Sequence, residues 1–313
     1  MQDSIDANKT LETVLLASIT EQRRSRRWGI FFKILIFGYI FALVGYYLVG
    51  NYNNKGTVLK DHVALIDLEG TIAAGKDADA DTVITGLRNA FEAEHAKAVI
   101  LRINSPGGSP VQSAYIYDEI KRLRKLYPEK KLYSVISDIG ASGGYYIAAA
   151  GDFVYANGSS IVGSIGVLMP NLGAVGAIQK LGLENRTLTA GTNKDFMDPF
   201  KARNPVQEAF AQKMLANVHA QFIQAVKNGR GSRLKNDPDI FSGLFWSGEQ
   251  ALQLGLVDGL ASASYVAREI VKIDEIVDYT VADSILDKLS HRMGAAFSKE
   301  LVASLGLKSY SFQ

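Results

Sequence analysis

The glycine-rich stretch of residues 138–151 contains one serine, Ser142, whose hydroxyl is of a type that can act as a nucleophile. The apolar residues 132–136 before it have the length and β-branched content of a buried strand, and the alanine-rich run after it favours a helix. Three glycines flank the hydroxyl, namely Gly140, Gly143 and Gly144. They allow a sharp strand-to-helix turn and a close approach by a substrate. The stretch makes Ser142 a candidate nucleophile, although an ordinary glycine-rich turn has the same composition.

Two further sites have residue types that can assist such a serine. Pro106, Gly107 and Gly108 come at the end of an apolar strand and before a helix, where glycines leave backbone amides free to face an oxyanion. Lys194 lies among apolar and turn residues, and a buried lysine has a lowered pKa and can act as a general base near neutral pH. Taken singly, the first pattern is that of a plain loop and the second that of a solvated lysine.

A second hydroxyl, Ser164, lies in the short motif Gly-Ser-Ile-Gly of residues 163–166. A hydroxyl at this position can hold the amine of a catalytic lysine, although alone the motif indicates only the start of a strand. We therefore expect Ser164 to orient Lys194 if the fold brings the two residues together.

Alternating strand and helix patterns must position these residues. The pattern predicts strands over residues 63–68, 98–103, 132–136, 153–156, 164–169 and 185–189. It predicts helices over residues 81–94, 112–126, 172–181, 206–226 and 248–254. Strands separated by helices of this length predict an α/β fold built from parallel βαβ units with right-handed crossovers.

The N-terminal part predicts a membrane helix. Residues 28–49 are almost wholly apolar, and at about 1.5 Å per residue they span about 33 Å, enough to cross a bilayer core of about 30 Å. Arginines precede this run, so the positive-inside rule keeps residues 1–27 in the cytoplasm and sends the remainder across. A cleaved signal peptide is the alternative, but the run is long and no small-x-small cleavage site follows before Asn51.

Composition excludes several function classes. The chain of 313 residues contains no cysteine, which excludes thiol catalysis, disulfides and cysteine-ligated metals. Its four histidines are scattered, so we expect no metal site and no cofactor. A formal net charge of only +2 gives no reason to expect a nucleic-acid partner.

Four motifs in order resemble those of the signal peptide peptidase A (SppA) family of membrane-anchored serine proteases in the ClpP/crotonase superfamily. They are residues 104–108 (Asn-Ser-Pro-Gly-Gly), 138–146 (Asp-Ile-Gly-Ala-Ser-Gly-Gly-Tyr-Tyr), 163–167 (Gly-Ser-Ile-Gly-Val) and 191–194 (Gly-Thr-Asn-Lys). The resemblance covers about residues 60–272 and implies a ClpP/crotonase-like fold of repeated ββα (βαβ) units, preceded by one N-terminal transmembrane helix.

The resemblance also implies roles for the individual residues. Ser142 is the expected nucleophile and Lys194 the general base of a Ser-Lys dyad. The amide of Gly108, together with that of Ser142 or of a neighbour such as Gly107 or Gly143, is expected to bind the oxyanion, and Ser164 to orient the lysine. The family forms rings with the catalytic groups inside. This chain has one such domain where the long form has two, so an octamer is the expected homo-oligomer, with the dyad within one subunit or shared by two.

These expectations divide the chain into five parts. They are a cytoplasmic segment (residues 1–27), a transmembrane helix (28–50), a linker (51–60), a peptidase domain (61–289) and a tail (290–313). The expected location is the inner membrane, with a single pass and the catalytic domain on the periplasmic or extracytoplasmic side. The expected substrates are apolar peptides such as cleaved signal peptides. Residues around Ile139, Ile165, Val167 and Leu168 are able to line an apolar specificity pocket, although each of them taken singly is more typical of the core.

Three rival functions stay open. An α/β-hydrolase esterase would satisfy the Gly-x-Ser-x-Gly pattern but needs a downstream acid and histidine, for which His219 and His291 are poorly placed in the sequence. An acyl-CoA-binding crotonase relative gives no reason for Lys194 or for a membrane helix. A catalytically silent membrane scaffold that binds peptides gives no reason for keeping both Ser142 and Lys194.

Overall fold

The computed structural model describes residues 23–24, 26–45 and 60–281. The chain divides into two compact units, Met1–Leu59 and Lys60–Gln313. In the first unit, helix α1 (Arg26–Gly45) has 20 residues, and an 18-residue stretch of it has a mean hydropathy of 2.0 and no buried part, so the helix is long and apolar enough to cross a membrane. The predicted span beyond residue 45, the linker up to residue 59 and the C-terminal tail lie outside the described residues.

Eight strands form one sheet within residues 60–281. They are β1 (His62–Glu69), β2 (Ala96–Ser105), β3 (Lys131–Ala141), β4 (Phe153–Ala156), β5 (Ile161–Gly163), β6 (Phe245–Ser247), β7 (Gly259–Leu260) and β8 (Ile276–Asp278). The main path runs β6-β5-β3-β2-β1-β8, and β4 joins β3 to β7. Every pairing is parallel except that between β5 and β6.

Helices connect these strands. They are α2 (Ala80–Glu92), α3 (Pro110–Leu126), α4 (Gly143–Ala148), α5 (Val175–Lys180), α6 (Pro205–Arg230), α7 (Gly248–Leu254) and α8 (Ala263–Tyr265), the last continued by a π-helical turn, Val266–Val271. Short 3₁₀ turns occupy Gly231–Arg233 and Pro238–Phe241. The order β1-α2-β2-α3-β3-α4-β4 gives three consecutive parallel crossovers. The predicted α/β fold of βαβ units is therefore confirmed.

The sheet has a buried core on each face. The larger core joins β1, β2 and β3 to helices α2, α3, α4 and α6, with fully buried members such as Leu101, Ile116 and Tyr145. The smaller core, which includes Val63, lies under the π-helical turn. Alternate residues of a strand point to opposite faces, so the continuous apolar runs of β1 and β2 are those of strands covered on both sides.

Strand β3 changes partner along its length. Tyr133–Ile136 pairs with β4, whereas Ile139–Ala141 pairs with β5. On the other side, the register with β2 shifts between Ile103 and Ser105, which face Ile136 and Gly140. Residues 137–139 of β3 therefore form a bulge opposite Asn104 alone. The side-chain amide of Asn104 donates to the Asp138 carboxylate at 3.1 Å, and its side-chain oxygen accepts a hydrogen bond from the Ile139 amide at 3.3 Å. A bulge bends a strand, and this one directs the end of β3 away from β4.

Two of the predicted strands are wrong. Residues 185–189 form no strand, because no edge strand of the sheet pairs with them. Instead, the side-chain oxygen of Asn185 accepts a hydrogen bond from the Thr187 amide at 3.0 Å. Residues 164–169 also form none, because β5 lies earlier and the chain turns at Ser164, which has a φ of 53°. The predicted helix over residues 172–181 is shorter, Val175–Lys180, whereas the helix over residues 248–254 is confirmed.

A buried ion pair ties the end of α6 to the sheet. The guanidinium of Arg230 is fully buried and binds both carboxylate oxygens of Asp258 at 2.8 and 2.9 Å. Arg233 approaches the same carboxylate at 3.3 Å, and the Val154 amide of β4 donates to it at 2.7 Å. Burial alone raises the pKa of Asp258, but the hydrogen bonds and charge of Arg230 outweigh this, so the pKa lies below its ordinary value of 3.8.

We expect Asp258→Asn to destabilise the fold strongly, by about 3–5 kcal/mol, because it leaves the Arg230 charge buried without a counter-charge. Urea unfolding of the full chain in detergent measures this. Glu208→Gln, which breaks the exposed Arg203–Glu208 pair, is the matched control and should change little.

The lowered pKa of Asp258 also predicts how the stability of the fold depends on pH. The ionised carboxylate of Asp258 stabilises the folded state fully at a pH above the ordinary pKa of an aspartate. This stabilisation is lost as the pH falls through the lowered pKa that Asp258 has in the folded state. The difference in the free energy of unfolding between wild type and Asp258→Asn should therefore become smaller as the pH falls into the acid range. A difference that stays constant down to pH ~2 would contradict the ion pair as its cause.

Candidate active site

Ser142 occupies a strained turn between β3 and α4. Its φ of 52° and ψ of −123° lie in a region that L-residues rarely adopt. The turn is held on both sides, since the Ser142 amide donates to the Gly163 carbonyl at 2.8 Å and the Ser142 carbonyl accepts from the Tyr146 amide at 2.9 Å. Such a turn presents a side chain outward at the end of a buried strand, as a nucleophile requires.

The glycine loop after β2 packs directly against this turn. A Cβ on Gly107 would lie 2.7 Å from both the Gly143 nitrogen and the Ser142 Cβ, so only glycine permits the contact. Ile72 forms a parallel bridge with Gly108, in which its amide donates to the Gly107 carbonyl and its carbonyl accepts from the Ser109 amide. This pattern turns the N–H of Gly108 away from Ile72.

The amides of Gly108 and Gly143 are the best-placed oxyanion donors. An added Cβ on Gly143 would lie 3.3 Å from the Gly108 nitrogen, so the two residues are neighbours. Neither amide donates a hydrogen bond within residues 60–281. Two unpaired N–H groups beside a nucleophile can stabilise the negative charge of a tetrahedral intermediate.

A cavity of about 600 Å³ opens beside Ser142. Its lining includes the two oxyanion candidates and Ser164, and its walls are largely apolar or aromatic. These wall residues are Pro106, Pro110, Tyr146, Val167, Leu168, Val218 and Phe222. Of the residues expected to form a pocket, Val167 and Leu168 line the cavity, whereas Ile165 is buried in the core and Ile139 does not line it. Sequence reasoning missed the contribution of α6, because only the tertiary fold brings that helix to Ser142, whereas Tyr146 is near Ser142 already by its place one helical turn later.

Gly107, predicted as a possible oxyanion donor, does not line the cavity, and its amide already donates to the Ser105 hydroxyl oxygen at 3.1 Å. Lys194 is the other predicted site residue that this chain does not bring to the cavity. It is solvent-exposed and does not line the cavity, and its amine forms no hydrogen bond or ion pair within the described residues. It lies in a turn whose backbone bond joins the Lys194 amide to the Gly191 carbonyl at 3.1 Å. A single copy of the chain therefore brings together Ser142, Ser164 and the two candidate oxyanion amides without the expected base.

The chain matches the model of peptidase family S49 over residues 124–276. A Synechocystis protein that is provisionally named a protease is 31% identical over 206 residues, which covers 66% of this chain and 72% of that protein. The chain belongs to peptidase family S49. A protein of Enterococcus faecium provisionally named signal peptide peptidase SppA is 30% identical to this S49 peptidase over 200 residues, 64% of this chain and 58% of that protein. The resemblance to the SppA family is thus confirmed.

A further similarity links this S49 peptidase to a protein of another name. The Na⁺/H⁺ antiporter NhaA of Brucella melitensis is 47% identical over 174 residues, which covers 56% of this chain but 24% of that protein. The chain thus spans about a quarter of the antiporter and well under two thirds of the Enterococcus protein.

Proposed function

We propose that this chain is a membrane-anchored serine endopeptidase that cleaves apolar peptides with a Ser142–Lys194 dyad. The observation that carries the proposal is the convergence of a strained serine turn, two unpaired amides and Ser164 on one cavity. Membership of family S49 supports peptide hydrolysis over an acyl-CoA-binding crotonase function.

The proposed reaction passes through an acyl-enzyme. The neutral amine of Lys194 takes the proton of Ser142, and the alkoxide attacks the peptide carbonyl. The amides of Gly108 and Gly143 bind the resulting oxyanion, and the lysine then protonates the leaving amine. Water attacks the acyl-enzyme with Lys194 again acting as base, which releases the second product and restores Ser142.

We propose further that the lysine comes from a second copy of the chain. No residue between positions 166 and 210 is buried, and this stretch contains Lys194. It also exposes many large apolar side chains, namely Leu168, Leu172, Leu181, Leu183, Leu188, Phe200, Val206 and Phe210. Apolar surface of this extent is typical of an interface. A neighbouring copy would cover it and could carry Lys194 to the cavity, as in the proposed ring of eight subunits.

The proposed substrates are apolar peptides released near a membrane, such as cleaved signal peptides. The apolar cavity walls beside Ser142 and the membrane-length helix α1 support this class. The proposed arrangement is a single pass through the inner membrane with the N-terminus in the cytoplasm and the catalytic unit on the extracytoplasmic side, on the basis of the arginines before α1.

The test uses the full chain in detergent with a fluorogenic apolar peptide. We expect Ser142→Ala and Lys194→Ala each to lower kcat by at least about 10³-fold, because each removes one half of the proposed nucleophile-base pair. Lys180→Ala is the matched control, since Lys180 is also an exposed lysine of residues 166–210, and it should retain activity. Full activity of Lys194→Ala would exclude the dyad, and a wild type that cleaves no peptide offered would favour the silent scaffold.

One observation favours a second candidate, a serine hydrolase with histidine as base. His219 lines the Ser142 cavity, a position that the sequence did not indicate. The α/β-hydrolase esterase requires this histidine, so loss of activity in every His219 variant together with an active Lys194→Ala variant would establish it. Family S49 membership favours the peptidase.

A further inference from the structure

His219 of helix α6 makes one specific contact at the cavity. Its Nε2 lies 2.9 Å from the carbonyl oxygen of Ile165. A carbonyl oxygen only accepts, so Nε2 must carry the proton and donate it. The ring therefore connects α6 to the segment of residues 163–166 through its Nε2–H.

This segment, which we name the strap (residues 163–166), touches the nucleophile directly. The Gly163 carbonyl accepts the amide of Ser142 at 2.8 Å, and the next residue is Ser164. The strap thus sets the position of the nucleophile's backbone and of the hydroxyl proposed to orient the lysine.

The strap is conformationally strained. The strain lies at Ser164, whose φ of 53° an L-residue rarely adopts, whereas Gly163 accommodates its φ of 109° as glycine can. The Gly166 amide donates to the Ser164 carbonyl at 2.9 Å in a γ-turn centred on Ile165. Strained backbone persists only where surrounding contacts over-determine it. Gly163 is held by β-pairing with Ala141 and Phe245, the Ser164 amide donates to the Leu244 carbonyl at 2.7 Å, and the His219 imidazole holds the Ile165 carbonyl.

We propose that His219 is a positioning residue, which holds the strap in its strained conformation through the Nε2–H bond and thereby keeps Ser142 and Ser164 in register. Its role requires a donor at the Nε2 position and neither a base nor a charge. The activity measurement that tests this proposal rests on the proposed function, whereas the geometry of the strap does not depend on that function.

The test compares His219→Gln with His219→Met in the full chain. The Gln side-chain amide places an N–H where Nε2 stands, whereas Met has nearly the same shape and length without a donor. We expect kcat on the apolar peptide to stay within about threefold of wild type for Gln and to fall about tenfold to a hundredfold for Met, with KM nearly unchanged in both.

A second readout needs no activity. Amide hydrogen exchange at Ser142 and Gly166 should quicken about tenfold in His219→Met and stay within about twofold of wild type in His219→Gln. Equal exchange in the two folded variants, or a folded Gln variant that loses more than about tenfold in kcat, would overturn the positioning role. Because exchange is measured without substrate, a failure of the Ser-Lys proposal leaves this test intact.

Discussion

Co-expression of the Ser142→Ala and Lys194→Ala variants is expected to restore about a quarter of wild-type activity, although each variant alone is inactive. If each site takes its serine from one subunit and its lysine from a neighbour, random mixing gives a complete pair at about one site in four. The structure motivates this expectation because Lys194 is exposed and absent from the cavity of its own chain.

The control for this experiment is co-expression of Ser142→Ala with the double variant Ser142→Ala/Lys194→Ala. That pair supplies no intact serine and should remain inactive at every ratio. If the first pair is also inactive while forming oligomers of wild-type size, the dyad lies within one subunit and the proposed exchange between copies is wrong.

Replacement of Gly108 by alanine is expected to lower kcat by at least about 10²-fold, the usual effect of losing one oxyanion donor. A Cβ at this position would lie 2.1 Å from the Ile72 carbonyl oxygen, and the φ of 154° disfavours any side chain. The loop must therefore move, and the Gly108 amide moves with it. Activity and urea unfolding of the full chain are measured together.

Gly75→Ala separates catalysis from backbone strain. Gly75 also has a positive φ, 70°, but nothing lies within 4 Å of an added Cβ. This control should lose a small amount of stability and no activity. If Gly108→Ala remained as active as Gly75→Ala, the Gly108 amide would not be an oxyanion donor.

Local patterns were sufficient to predict much of the sheet and the serine turn. The apolar runs of β1, β2 and β3 are buried on both faces, so their sequences are unmistakable, and the helices between them have clear caps such as Ser109 of α3. Ser142, Gly107 and Gly108 were identifiable because glycine is required where backbones meet closely.

The remaining features depend on contacts between distant parts of the chain. β7 has two residues and β8 three, so their strand character comes from pairing with β4 and β1 and not from composition. The lining role of His219 likewise depends on how α6 crosses the sheet. Residues 185–189 show the converse, because β-forming residues without a neighbouring edge remain unpaired.

The antiparallel pairing of β6 with β5 has a consequence for the timing of synthesis. The strap beside Ser142 is held from residues far downstream, because Gly163 pairs with Phe245 and the Ser164 amide donates to the Leu244 carbonyl. During synthesis, Ser142 therefore emerges before the residues that fix the strap beside it, and the strap gains these contacts only after residues 244–247 have been made.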